Sequence, residues 1–412
     1  MRRKLLTLGW MLLVFFTCQG RVLKVGKGQP FESIQQALNA TDNGDTVWVD
    51  AGIYHEKNIV VNKSITLLGN NFPELDGDHR YEIVSVKANG VTIKGFKLVH
   101  TGVSSMEDIA GIKIYNCRDV TIEGNILADA FFGIYVQSGI NCRIENNQIK
   151  SAYLTEQKSG NGIHCWKSDS MQIIGNTISG QRDGIYFEFV TNSIIWRNMS
   201  THNLRYGLHF MFSHNDAYIS NVFQNNGAGV AVMFTHGVKM FNNFFEDNWG
   251  DGAFGLLLKE ISDSYVNGNK FINNTSAIFM EGATRIQVER NEFKSNGWAM
   301  KIQASCMDNI ITRNNFLSNT FDVATNGSLT LNSFNYNYWD RYEGYDLKKD
   351  HIGDIPYHPI SLFSMIVEKN PSSMMLFRSF ITSLLDKTEK ILPSITPENL
   401  KDDYPYMKPL KL

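Results

Sequence analysis

Residues 207–245, GLHFMFSHNDAYISNVFQNNGAGVAVMFTHGVKMFNNFF, hold nearly two copies of one sequence unit. Gly207 and Gly229 each open a short apolar strand, and Asn221 and Asn243 each close a turn 14 residues later. Outward from this stretch the openers are Gly111, Gly133, Gly162, Gly184, Gly255, Ala277 and Ala299, and the full series advances in steps of 22, 29, 22, 23, 22, 26, 22 and 22. The turn asparagines keep the same step from Asn125 to Asn337. A short, sustained period of this kind marks a solenoid, in which each unit contacts only its neighbours.

The units predict strands rather than helices. Positions one and three after each opener are apolar, as in Leu208 and Phe210 or Val230 and Val232, and a period of two turns both inward. A second inward column lies two residues after each turn Asn and includes Leu127, Ile149, Ile178, Ser200, Phe223, Phe245, Phe271, Phe293, Phe316 and Trp339. Like side chains stacked one coil apart form ladders, and each buried apolar member adds roughly 1.5–3 kcal/mol. The turn Asn tolerates left-handed backbone and can bond to its equivalents above and below, so it reads as structural. The expected fold is all-β: a single-stranded, right-handed parallel β-helix of about 22 residues per rung. Leucine-rich repeats carry a Leu signature absent here, and propellers repeat at about 40 residues or more.

The chain has 412 residues, 43% hydrophobic and 19% charged, with net charge -2. No basic field for nucleic acid exists in that balance. Arg2, Arg3 and Lys4 precede an apolar run from Leu5 to Phe16, with Cys18 and Gly20 behind it, so residues 1–20 are expected to be a signal peptide. A lipid-anchored Cys18 is the other reading. Residues 21–83 are expected to hold an N-terminal cap, with a helix over Phe31 to Ala40, and the first coils. Residues 84–340 form the regular β-helix and 341–412 a C-terminal tail. In that tail Asn370 and Pro371 read as the start of a helix that carries Phe377, Phe380, Ile381 and Leu384 and stops at Pro393. It either caps the last rung or docks on a membrane partner. Cys117, Cys142, Cys165 and Cys306 fall on no matched positions and read as packed free thiols. Loops at 101–110 and 151–161 interrupt the period, and such insertions often build binding surface.

Positions two and four after each opener should face out, and an outer face should be polar. Here they include Trp166, Tyr186, Glu188, His209, Met211 and Met233, and position seven adds His214 and His236 on adjacent rungs. Thioether and imidazole together suit copper(I), so Met211, Met233, His209, His214 and His236 are the candidate ligands. An apolar contact patch without metal accounts for the same residues, because Met and aromatic side chains also suit adaptable interfaces. Carboxylates are scattered: Glu188 and Glu281 share a column four rungs apart, and Asp183 beside Arg182 reads as a turn ion pair. No acid/base pair at catalytic spacing emerges.

RDGIYFEFVTNS (182–193), NLRYGLHFMFSHND (203–216), GAGVAVMFT (227–235), GLLLKEISDS (255–264), NYWDRYEGYDL (337–347), GDIPYHPISLFS (353–364) and TPENLKDDYPYMKP (396–409) resemble the NosD family. That resemblance implies a periplasmic β-helix protein with no enzymatic activity of its own. It would associate with a membrane permease and its cytoplasmic ATPase and, with a copper chaperone, help deliver copper to the catalytic cluster of nitrous oxide reductase. The copper would be transient, as Cu(I). Under this reading Trp166, Tyr186 and Glu188 meet a partner, and Phe377, Phe380, Ile381 and Leu384 meet the permease. The architecture alone leaves two alternatives: a lyase or epimerase acting on acidic polysaccharide, and an adhesive solenoid.

Overall fold

The computed structural model describes residues 20–104, 106–152, 155–327, 331–377, 379–382, 384–385 and 400–412. The expected signal segment with Cys18, and the expected helix end from Ile391 to Pro393, lie outside the described residues. Each coil contributes one strand to each of three parallel sheets, which hold 14, 12 and 13 strands. One coil comprises Tyr206–Met211, Ala217–Ile219 and Val222–Gln224; the next comprises Ala228–His236, Lys239–Phe241 and Phe244–Glu246. Their registers pair Leu208 with Val230, Tyr218 with Met240 and Phe223 with Phe245, as the repeat predicted.

The interior follows the period-two reading. Phe223, Phe245, Phe271, Phe293 and Phe316 are fully buried, Trp339 nearly so, and successive ring centroids along this column lie 4.0–5.6 Å apart. Cys142 and Cys165 point inward, and all four described cysteines are buried free thiols.

Beside the rings runs the asparagine ladder. Asn221 donates its backbone N–H and its amide to Asn243 Oδ1 at 2.9 and 3.0 Å, and Asn243 repeats this to Asn269. The pattern holds from Asn125 to Asn337. A second ladder, five residues further on, was not anticipated: Asn203, Asn226, Asn248, Asn274, Asn296 and Asn319 bond in series, with Asn226 giving Asn248 only its backbone N–H and its amide to the Ser200 carbonyl. Both ladders satisfy backbone donors and carbonyls at corners where the sheets break, so the corners can be buried without orphaned polar groups.

The first ladder ends on a different residue. Asp402 is buried and takes the place of the next Asn: its Oδ2 accepts from Asn337 N, Asn337 Nδ2 and Trp339 Nε1 at 2.9, 3.1 and 3.0 Å. A carboxylate accepts and does not donate, which suits the last position of a donor chain.

At the other end, the helix Ile34–Ala40 is capped by Ser33 and buries Ile34, Ala37 and Leu38, as expected of the N-terminal cap. In the C-terminal tail residues 380–382 and 384–385 are helical as expected, and ahead of them lies an α-helix that the sequence reading did not place. It spans Leu362–Lys369 because Ser361 and Ser364 form a capping box. Asn370 ends that helix, and Pro371–Leu376 is a 3-10 turn. Phe363 and Val367 pack on Trp298 and Phe321, on the outer side of the last coils.

The glycine openers let adjacent coils approach. A Cβ on Gly184 would stand 1.9 Å from Ser200 Oγ and 2.6 Å from the Gly207 carbonyl oxygen. Gly184→Ala should therefore destabilise the chain by about 1–3 kcal/mol through overpacking. A urea midpoint equal to that of the parent would show that this interior yields freely.

Candidate functional site

The side chains selected from the sequence lie on the outer side of the 12-strand sheet. Ile163–Trp166, Ile185–Glu188, Tyr206–Met211, Ala228–His236 and Phe254–Ser262 lie side by side there. Register aligns Trp166, Glu188, Met211, Met233 and Lys259 in one column. Met211 and Met233 are therefore direct neighbours, both half-buried. The Tyr186 hydroxyl donates to Met211 Sδ at 3.8 Å, and burial, with Glu188 nearby, pushes that hydroxyl up to about 12. Tyr186 thus stays a donor at neutral pH.

His214 and His236 stack with centroids 4.1 Å apart and planes 9° from parallel. Backbone N–H of His236 donates to His214 Nδ1 at 3.3 Å, which places the His214 proton on Nε2. Ring lone pairs lie in the ring plane, so two parallel rings aim them in parallel. One ion could sit on both axes only after a ring turns. Burial, with the His236 charge, lowers the His214 pKa and favours its neutral form.

His209 departs from the solvent-facing position expected for it. It leaves the outer side of the strand, yet it is only 6% exposed. Tyr186 and Tyr206 pack on its ring with centroids 4.8 and 4.9 Å away. Its Nδ1 lies 3.8 Å from Asp183 Oδ2, within ion-pair range and too long for a hydrogen bond. On four successive coils position two forms a stack of rings running Tyr135, His164, Tyr186 and His209, buried except for the half-buried Tyr186. Burial pushes the His164 imidazole down to about 3.

Asp183 does not pair with Arg182 as expected. Arg205, one coil on, grips it through Nε and Nη2 at 3.1 and 2.9 Å, and reaches Glu156 at 2.9 Å in the 151–161 loop. Both Asp183 oxygens are taken and the residue is fully buried. This carboxylate ties the loop to the coils and offers no face to a substrate.

One feature was missed in the sequence. Phe189, Phe212 and Phe234, at position five, stack on the outside with centroids 5.2 and 5.1 Å apart and are 44%, 36% and 37% exposed. Each has left-handed backbone, with φ of 54°, 51° and 55°. The same position holds Ser138, Lys167 and Glu260 on other coils, also left-handed. The turn therefore sets φ and does not demand an aromatic residue. Three exposed phenyl rings beside two methionines make an apolar patch of the kind that marks a protein contact. The signal was present as Phe at a constant offset from three consecutive openers.

In the C-terminal tail, Phe377 stacks on Phe363 and meets Phe321, so it belongs to the packing rather than to an open face. Phe380, Ile381 and Leu384 are 81%, 49% and 52% exposed, and Met375 adds to them at 90%. Among the described residues no helix is long and apolar enough to cross a membrane.

Comparison with known proteins gives a consistent result. The family described as "Periplasmic copper-binding protein (NosD)" matches residues 146–344, and "Right handed beta helix region" matches residues 34–178. A Pseudomonas aeruginosa protein named "Probable ABC transporter binding protein NosD" is 26% identical over 385 residues, covering 89% of this chain and 89% of that protein. A Stutzerimonas stutzeri protein of the same name is 25% identical, covering 78% of each. Among solved structures, the catalytic domain of a GH87 alpha-1,3-glucanase superposes with a TM-score of 0.53 at 13% identity, over 77% of this chain and 69% of that one. That likeness concerns the fold alone. Residues 146–344 thus form a NosD family domain, carried on a right-handed parallel β-helix.

Proposed function

We propose that this chain is an exported, periplasmic accessory protein. It hands copper toward the catalytic cluster of nitrous oxide reductase while bound to an ABC-type permease and its ATPase. The observation that carries this reading is the in-register pair Met211 and Met233, with the stacked His214 and His236 three residues further along the same two coils. Soft sulfur and neutral imidazole are the donors Cu(I) favours. The parallel rings and the Tyr186–Met211 contact suit a surface that meets copper briefly rather than a closed cage. The phenyl ladder beside it would seat the copper chaperone, with Tyr186, Glu188 and Trp166 at its border. The exposed Phe380, Ile381 and Leu384 would face the permease, consistent with the transporter-binding names of the relatives. His209, covered by tyrosines, would position the surface rather than ligate.

The carbohydrate-enzyme reading has less support. Glu188 and Glu281 lie four coils apart, and Asp183 is fully buried with both oxygens engaged.

The test replaces Met211 and Met233 by Leu and His214 and His236 by Ala together. Competition against a chromogenic Cu(I) chelator should show affinity reduced at least about tenfold. In cells, copper loading of the reductase should fall with it. Unchanged loading would remove this surface from the mechanism.

A further inference from the structure

A second constellation lies at the opposite end of the solenoid. The strands Ile53–Tyr54, Glu74–Asp76 and Lys97–Val99 are consecutive in the 13-strand sheet, and their ends bring His55, Asp76 and His100 to one edge. The turn after Asp76 adds Asp78 and His79. Ligand atoms of His55, Asp76 and Asp78 all lie within 4.8 Å of one another. His55 Nδ1 is 2.9 Å from Asp78 Oδ1, and His100 Nδ1 is 3.1 Å from Asp76 Oδ1. The His79 ring packs on His100 at 4.6 Å. The turn is pinned rather than loose: Gly77 and His79 donate backbone N–H groups to the Val99 and His100 carbonyls at 2.9 and 2.8 Å.

We infer that His55, Asp76 and Asp78 form a binding site for a divalent transition cation such as Zn2+, with His100 orienting Asp76. Three imidazoles meet two carboxylates here, so the cluster is not merely acidic. In the His55–Asp78 pair the ring nitrogen faces the carboxylate oxygen, and a cation could take the place between them. Zinc bonds to His nitrogen and carboxylate oxygen are about 2.0–2.2 Å long, so tetrahedral ligand atoms sit roughly 3.3 Å apart. The separations here must close by about 1.5 Å at most to meet that edge. His55 and Asp78 are exposed and free to move that far. Nitrogen and oxygen without sulfur select Zn2+ or Cu2+ over Cu(I). The site therefore differs in kind from the Met211/Met233 surface, which lies six coils and roughly 29 Å away, centre to centre along the axis, at about 4.8 Å per coil. A bound cation would tie together the coils that carry His55 and Asp76, and so secure the N-terminal end.

The experiment is calorimetric titration of the untagged mature chain with Zn2+, with thermal melts in parallel. One equivalent should bind and raise the melting temperature. His55→Ala and Asp78→Asn should each weaken binding at least tenfold and abolish the thermal shift, with the far-ultraviolet circular dichroism of the parent retained. The Met211→Leu/Met233→Leu chain should bind Zn2+ as the parent does. Absence of Zn2+ binding by the parent overturns the inference. So does unchanged binding by the His55→Ala/Asp78→Asn double variant.

Discussion

Asp402→Ala should cost the chain at least about 3 kcal/mol and loosen its C-terminal coil. Removing the carboxylate orphans the buried Asn337 N and Trp339 Nε1, takes one of its acceptors from Asn337 Nδ2, which keeps the Ile311 carbonyl at 3.0 Å, and frees the half-buried Tyr336 N. Each buried donor without a partner costs about 1–3 kcal/mol, and water can relieve only some of them. Asp402→Asn should lose less, about 1–2 kcal/mol. Its oxygen can serve three of those donors, but its amide then turns toward the N–H groups of Tyr336 and Tyr404. Urea denaturation of the two variants gives the comparison, and limited proteolysis beyond Asn337 locates the loosening. An alanine variant as stable as the parent would mean that the ladder needs no terminal acceptor.

His164→Phe should make the chain resist acid better than the parent. The imidazole is buried between Tyr135 and Tyr186, and burial holds it down to about 3, against about 6.5 in an unfolded chain. Below about pH 6.5 the unfolded chain therefore takes up a proton that the folded chain refuses. The stability tied to this group is complete above pH 6.5, declines as pH falls, and is gone below about pH 3. Between pH 7 and pH 4.5 the loss amounts to about 2.5 kcal/mol at one unit per 1.36 kcal/mol. Phenylalanine keeps the ring stack, removes the titration and forfeits only the Asn161 contact at 3.2 Å. Other groups titrate over the same range, so the measure is the parent-minus-variant difference in urea midpoint at pH 7 and at pH 4.5. A difference independent of pH would show that His164 is not the acid-sensitive group.

Much of this architecture was legible because two periods coincide. The strand period of two fixed which side of the sheet a residue leaves from, and the coil period fixed its neighbour, so the Met211–Met233 and His214–His236 pairs followed directly. What covers an outer side chain has no period. His209 and Tyr135 obey the parity rule and are still buried by rings from adjacent positions. The second ladder was visible in principle, five residues after the first, but Asn in a turn is ordinary and its repetition went unremarked. Asp402 could not be placed, since it lies 65 residues beyond the Asn337 it serves. The cluster at His55 was hidden because the first coils carry neither the Gly opener nor the turn Asn. The start of the tail helix was set too early because Pro371 is a strong helix-start signal that here opens a 3-10 turn, and the separate helix behind the quieter Ser361–Ser364 box went unremarked.

The left-handed corner at position five separates two kinds of evolutionary change. Its backbone is set by the coil, and it already accommodates hydroxyl, ammonium, carboxylate and phenyl groups along the same chain. Recognition can therefore be rewritten there, residue by residue, without renegotiating the interior. Proteins sharing this scaffold could diverge in their associates while the stacked rings and amide columns beneath them stay constant.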